Sequence, residues 1–350
     1  MSEPPSLALA LRLAARGWHI LPLSAASKRP LGNCPDCAAD HKPDECPCLA
    51  AGRWCHGVRA ATTDPAILTA WWQAQPRAIP GAAAGPSGLV LLDIDAHNSE
   101  LPPSLATGLL PGIDLATEPV DAGTWNNPGR FHDGRDTLAL LARLRGGPRP
   151  WPTSPEYQPV TAATPSGGIH LWYQAPATEL RQMLSDPAGR YGLAWQVDIK
   201  AGWSYGIAPS AVTAAGTYQV QRGNPGHPGR MPDWLARETI RAAAPAPRPS
   251  GPPAEVAASR EGPGSAAYLN TVINRGTAQL ALMKDGRKRA LSALAFHAGG
   301  LLTWSGLDKR DVTNQLIRAG TTAGVSLRES TRIVTRAFAN GVTHPITPRG

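Results

Sequence analysis

A chain of 350 residues, 42% of them hydrophobic, has room for two or three domains and a sizeable core. No apolar run approaches the roughly 18 residues of a membrane helix, which excludes a helical membrane protein. The net charge of +8 is uneven: from Gly251 to Gly350 thirteen Lys or Arg face six Asp or Glu, a net of +7, and such a basic segment suits a polyanion such as nucleic acid.

The opening "MSEPPSLALALRLAARGWHILPLS" lacks a basic n-region and is broken by Gly17, Trp18 and His19. It reads as a short helix followed by a strand, so no signal peptide is expected and a cytoplasmic location is. All five cysteines then fall together in "CPDCAADHKPDECPCLAAGRWCH": Cys34, Cys37, Cys46, Cys48 and Cys55, with His41 and His56 among them. In a cytosolic chain, Cys pairs at this spacing suggest structural Zn²⁺ held tetrahedrally by a knuckle. Seven candidates compete for four places. Cys34, Cys37 and Cys55 with Cys46 or Cys48 are favoured, and His56 is the first substitute; free structural thiols are the bland alternative.

Thr63 is placed as the cap of a helix with Pro65 in its first turn and Ile67, Leu68, Trp71 and Trp72 on its apolar face. "GLVLLDIDAH" follows, an apolar strand ending in Asp93 and Asp95. Alternate residues of a strand share a face, so both carboxylates stand together while Ile94 turns away. Like charges that close repel unless a cation separates them, and oxygen ligands suit hard ions such as Mg²⁺ or Mn²⁺. The alternative is a strand running out into a polar turn. Residues 98–132 form a Pro- and Gly-rich excursion before a helix over "RDTLALLARLR".

"YQPVTAATPSGGIHLWYQAP" reads as two strands joined by a Gly-rich turn. Its Ser166, Gly167 and Gly168 would let backbone amides approach a phosphate, and His170 could add a donor; a lone structural His is the plainer account. "LAWQVDIKAGWSYGIAPS" gives a further strand, turn and short strand, with Asp198 and Lys200 on the first. Strands interspersed with helices argue for an α/β or α+β domain. "RAAAPAPRPSGPPAEVAASREGPGS" has linker composition. Beyond it the period becomes helical, with stripes at Leu269, Val272, Ile273, Leu280 and at Leu291, Leu294, Ala295, Ala298. Ser326 and Glu329 form a capping box before Ile333, Val334, Ala337 and Phe338. About four helices in a small bundle are expected.

D-x-D, then S-G-G-x-H, then a strand Asp, in "LVLLDID", "TPSGGIH" and "VDIK", resemble the three motifs of the bifunctional DNA primase/polymerase N-terminal domain of the archaeo-eukaryotic primase superfamily. The likeness extends to "PLSAASKRP", "CHGVRAATTDP", "WW" and "YGIAPSA…GTY", over roughly residues 5–236. It implies an α+β catalytic core, an RRM-like sheet plus an N-terminal α/β unit with an inserted zinc knuckle, followed by a small all-α bundle. The expected organisation is a catalytic domain over 1–240 with its knuckle at about 33–57, a linker over 241–264, a helical primase C-terminal-like domain over 265–341 and a tail over 342–350. The implied function is template-directed nucleotidyl transfer in replication of a plasmid, phage or integrative element. Asp93, Asp95 and Asp198 would hold catalytic Mg²⁺ or Mn²⁺, with His170 beside them. Ser166, Gly167, Gly168 and His170 would contact nucleotide phosphates, with Lys200 and Lys28 as further candidates. Implied partners are single-stranded DNA and nucleoside triphosphates; no membrane partner is expected. No G-x-x-x-x-G-K-[ST] occurs in the chain, so a helicase would be a separate protein. "KDGRKR" in the helical segment is a candidate for template contact. The usual double proline after the third motif is here Pro209-Ser210, a departure expected to be harmless.

Two rival readings account for less of the sequence. A non-catalytic zinc-containing DNA-binding replication accessory protein leaves three strand acids without a purpose. A dehalogenase-type phosphatase or sugar-nucleotide transferase shares D-x-D, but Ala96-His97 follows it here, and neither explains the later motifs or the cysteines.

Overall fold

The computed structural model describes residues 4–33, 45–96, 100–147, 154–244, 266–283 and 286–346. Cys34, Cys37, most of the expected linker, Lys284 and Asp285 of "KDGRKR", and residues 347–350 lie outside the described residues. The chain is mixed α+β and divides into two compact units, Met1–Arg248 and Pro249–Gly350. Among the described residues no helix is long and apolar enough to cross a membrane.

The first unit begins with α1 (Pro5–Ala14) and β1 (Ile20–Leu23), followed by the short α2 (Pro47–Ala50), a 3₁₀ turn at Gly57–Ala60 and α3 (Pro65–Ala74). The cap of α3 is Asp64 rather than Thr63: its Oδ1 accepts from the amides of Ala66 and Ile67 at 2.8 and 3.3 Å. Pro65 takes the first helical position, which makes the residue immediately before it the cap. Then come β2 (Ile79–Ala83) and β3 (Leu89–Ile94). The excursion contains α4 (Leu105–Gly108) and α5 (Ala122–Trp125) and leads to α6 (Gly134–Leu144). The unit continues through β4 (Val160–Ala163), β5 (Ile169–Gln174), β6 (Val197–Lys200), β7 (Tyr205–Ile207), β8 (Val212–Thr213), β9 (Gly216–Thr217), β10 (Gln219–Arg222) and α7 (Asp233–Ala243). Helix α7 therefore takes the first three residues assigned to the linker; Arg241 is fixed there by Glu238, 2.6 Å from its Nε.

A five-stranded antiparallel sheet has the order β10-β4-β5-β3-β6, and a three-stranded one the order β1-β2-β7. Alternation gives the large sheet two apolar faces. On the back, Val90, Leu92, Ile94, Leu171, Val197 and Ile199 share a core with Leu138 and Leu141 of α6 and Trp234 and Leu235 of α7. On the front, Leu91, Val160 and Trp172 share a core with Leu13, Trp18, Leu23, Trp72 and Ala82. Strand β7 approaches this front face so closely that a Cβ on Gly206 would stand 2.3 Å from Leu91 Cδ2, which explains the glycine.

The second unit contains α8 (Ala266–Leu282), α9 (Arg287–Ser305), α10 (Lys309–Thr322) and α11 (Leu327–Val342), one residue longer than the expected helical boundary. Leu269, Ile273, Leu291, Ala295, Leu316, Val334 and Phe338 form its core. The Ser326 hydroxyl accepts from the Glu329 amide at the start of α11.

Candidate active site

Strand β3 lies between β5 and β6, and Asp93 is directly opposite His170 on one neighbour and Asp198 on the other. Directly opposed residues of antiparallel strands share a face. Three side chains distant in sequence therefore form one row on the front of the sheet. The next row back contains Lys200, Leu91 and Trp172, where the apolar core begins. The apolar strand ends in acid because the front core ends there.

The row is joined by short polar contacts. His170 Nε2 lies 3.3 Å from Asp93 Oδ1. Lys200 Nζ lies 2.6 Å from Asp198 Oδ2 and 3.7 Å from Asp93 Oδ2. The other oxygen of Asp198 accepts from the amide and hydroxyl of Ser185 at 2.6 and 2.7 Å. Burial pushes the Asp93 carboxyl up, but His170 and Lys200 outweigh it and hold the group below the usual carboxylate range. Two opposed carboxylates, 22% and 13% exposed, are thus tolerated around one ammonium.

Asp95 lies just beyond the strand; its amide donates to Gln196 O at 2.9 Å and its carbonyl accepts from Gly134 N at 3.1 Å. The Tyr218 hydroxyl is pushed up by burial and further by the negative charges of Asp93 and Asp95, so both acids act on the same surroundings. The Tyr218 ring packs on His170 at a centroid distance of 5.1 Å.

A cleft of about 220 Å³ opens beside the row, lined by Lys28, Asp93, His170, Gln182, Lys200, Tyr205, Gly206, Ile207 and Tyr218. Lys28 reaches it from the loop after β1. There its backbone is left-handed (φ 55°), its amide donates to Ser24 O at 2.8 Å, and its Nζ stands 5.7 Å from the Tyr218 ring centroid. The hairpin joining β4 to β5 carries Ser166, Gly167 and Gly168 past the end of the row, outside the cleft lining. Ser166 Oγ is 3.0 Å from Thr164 Oγ1. Gly167 has φ 90°, and a Cβ on Gly168 would stand 2.5 Å from Ile94 O, so the tight closure of this hairpin against β3 needs both glycines.

Gln182, Ser185, Tyr205 and Tyr218 were given no role by the sequence. The two tyrosines fall in "YGIAPSA…GTY", which gave a signal without a role; Gln182 and Ser185 lie in a stretch without periodicity. Ser210, in the place of the second proline, has φ 70° and donates its amide to Tyr218 O at 2.8 Å. Proline has neither that φ nor that donor, so the departure at this position has a backbone consequence.

In the cysteine region, the ligand atoms of Cys46, Cys55 and His56 lie within 4.8 Å of one another. Cys46, Cys48 and Cys55 are buried together, while Cys48 Sγ accepts from Arg53 Nη2 at 3.5 Å. Two thiols and an imidazole are a donor set that suits Zn²⁺. Cys34 and Cys37 lie outside the described residues.

The sequence profile of a family described as bifunctional DNA primase/polymerase, N-terminal, matches residues 10–234. No curated protein matches the chain.

Proposed function

Because the chain belongs to the bifunctional DNA primase/polymerase family, we propose that its first unit performs template-directed nucleotidyl transfer, making primers and extending them for a plasmid, phage or integrative element. The observation that carries this reading is the row Asp198, Asp93, His170 with Lys200 beside it, at the edge of a cleft. The five-stranded sheet stands for the RRM-like catalytic sheet, and β1-β2-β7 with α1 and α3 for the N-terminal α/β unit.

Members of this family use divalent metals. The residues here fit such ions: two carboxylates face each other across β3 and β6 with a positive charge between them, supplied in this structure by Lys200. Asp93, Asp95 and Asp198 would hold Mg²⁺ or Mn²⁺, which when bound supply Lewis-acid stabilisation of the attacking and leaving oxygens of an in-line displacement. Ser185 fixes the orientation of Asp198, and His170 that of Asp93. Lys28 and Lys200 present ammonium groups to the phosphates of the incoming triphosphate. The hairpin of Ser166, Gly167 and Gly168 bears on those phosphates from the end of the row. Zn²⁺ would be held by Cys46, Cys55 and His56, with a fourth ligand from Cys34, Cys37 or Cys48, and its role is structural. The basic helical unit contacts template backbone, and a separate helicase opens the duplex.

The test is primer synthesis on single-stranded DNA with labelled nucleotides and Mn²⁺ or Mg²⁺, comparing wild type with Asp93→Ala plus Asp95→Ala. Products from the wild type alone are expected. No product from either, with DNA binding intact in both, would overturn the catalytic reading in favour of a DNA-binding accessory protein.

A further inference from the structure

Trp203 is the one exposed tryptophan among the described residues, with 51% of its surface in water. Its backbone is nonetheless firmly held. Gly202 O accepts from Gly85 N and Ser204 O from Ala84 N, both at 2.9 Å, so the pairing of β2 and β7 continues past the strand ends on either side of it. A large aromatic fixed at its root and left in water is pre-organised for a ligand. The Arg59 guanidinium lies 4.3 Å from the ring centroid, covering one face of the indole. Arg59 sits in the 3₁₀ turn three residues after His56, so the pair joins the end of the cysteine region to the loop that follows Asp198 and Lys200.

Further cations meet aromatic rings nearby, although these rings are covered, Tyr205 being half-buried and Tyr218 buried. Tyr205, two residues on, lines the cleft and lies within the field of Arg29 and Lys200. Lys28 stands over Tyr218. Cations interleaved with exposed aromatic faces are how proteins hold single-stranded nucleic acid, the bases stacking and the phosphates meeting positive charge. Trp203 is absent from the cleft lining, which separates it from the position of an incoming nucleotide.

We infer that Trp203, backed by Arg59, is a stacking platform for a base of the single-stranded DNA template just outside the reacting cleft. The inference rests on the polymerase reading for the identity of that strand. The indole face opposite Arg59 takes the base, and the guanidinium adds cation–π support and a charge for the neighbouring phosphate.

The experiment uses the full chain and a labelled single-stranded oligodeoxynucleotide, comparing wild type, Trp203→Leu and Trp203→Phe by equilibrium binding and by steady-state kinetics. Trp203→Leu should raise Kd and the template KM about tenfold, within the range found for loss of one stacked base, and leave the nucleotide KM unchanged. Trp203→Phe, which keeps a π-face, should recover most of the affinity. Unchanged DNA affinity in the Leu variant, equal losses for Leu and Phe, or a shift confined to the nucleotide KM would each overturn the platform. So would a lowered thermal midpoint with DNA affinity intact, the mark of a structural staple. A wild type that binds DNA but makes no product defeats the polymerase reading, while the binding comparison still decides the platform.

Discussion

Replacing Lys200 by Met keeps the aliphatic stem and removes the ammonium between Asp93 and Asp198. In the wild type that charge is 2.6 Å from one carboxylate and 3.7 Å from the other. Unit charges about 4 Å apart at an effective dielectric near 20 interact by about 4 kcal/mol. Breaking a fully buried pair costs about 3–5 kcal/mol. The carboxylates here retain 22% and 13% exposure, and His170 and Ser185 still contact them. A loss of about 2–3 kcal/mol in unfolding free energy, below the fully buried range, is therefore expected in the presence of a chelator.

The same vacancy of charge is what a divalent cation would fill. Denaturant unfolding in chelator and in excess Mn²⁺ separates the two effects. A ligand at about 100 times its Kd stabilises the folded state by about 2.7 kcal/mol, enough to restore most of the loss in Lys200→Met. The wild type should gain less, because its own ammonium competes for the position. Equal stability of the two proteins in chelator, or equal gains from Mn²⁺, would refute the assignment of Lys200 as the cation that balances this pair.

Ser185→Ala removes one of two donors to Asp198 Oδ1 and leaves the amide; a stability loss of about 1 kcal/mol should accompany a clear fall in kcat at unchanged nucleotide KM, and an unchanged kcat would count against Ser185 as a positioning residue. Ser210→Pro demands φ near −65° where the chain has 70° and deletes the donor to Tyr218 O, so denaturant unfolding should show a loss of about 3 kcal/mol or more, and a neutral result would contradict the turn. Burial pushes the Asp186 carboxyl up, but the Arg190 side chain and the amides of Arg190 and Tyr191 outweigh it and hold it below its ordinary value. A depressed carboxylate stabilises the fold above its unfolded pKa and loses that contribution as the pH falls through its folded one. Asp186→Asn should therefore lower the unfolding midpoint at neutral pH, with the gap closing as the pH falls below about 4; a gap independent of pH would refute it.

What the sequence made legible were features with a local period or a local cap. Asp93 could be assigned to a strand face by alternation, and α8, α9 and α11 by their apolar stripes. The partners of Asp93 were implied only by the family resemblance, because local patterning carries no register. Residues 170 and 198 become its neighbours only because β5 and β6 flank β3, and no local pattern encodes that order. Likewise Ser185 meets Asp198 because the stretch around Met183 bridges to Ile199 at the outer side of β6. Lys28 enters the cleft through one left-handed residue in a loop, a backbone choice that its side-chain type does not announce. The cysteine spacing pointed to a metal but not to its ligands. Among the described residues Cys46, rather than its near neighbour Cys48, joins Cys55 and His56, while Cys48 accepts a hydrogen bond from Arg53.

The same logic accounts for the end of β3. A strand whose front side chain is Leu91 in one row and Asp93 in the next has passed from apolar packing to charge within two residues. The neighbouring strands compensate the change: Trp172 gives way to His170 on β5, and on β6 Lys200, opposite Leu91, reaches the carboxylates of Asp93 and Asp198 in the next row. Substituting Asp93 alone therefore alters more than one contact. It leaves His170, buried and with its Nδ1 already unpartnered, without the oxygen opposite its Nε2, and leaves Lys200 to Asp198. The three-strand row is one coupled set of contacts, and a loss measured for any one member includes the reorganisation of the other two.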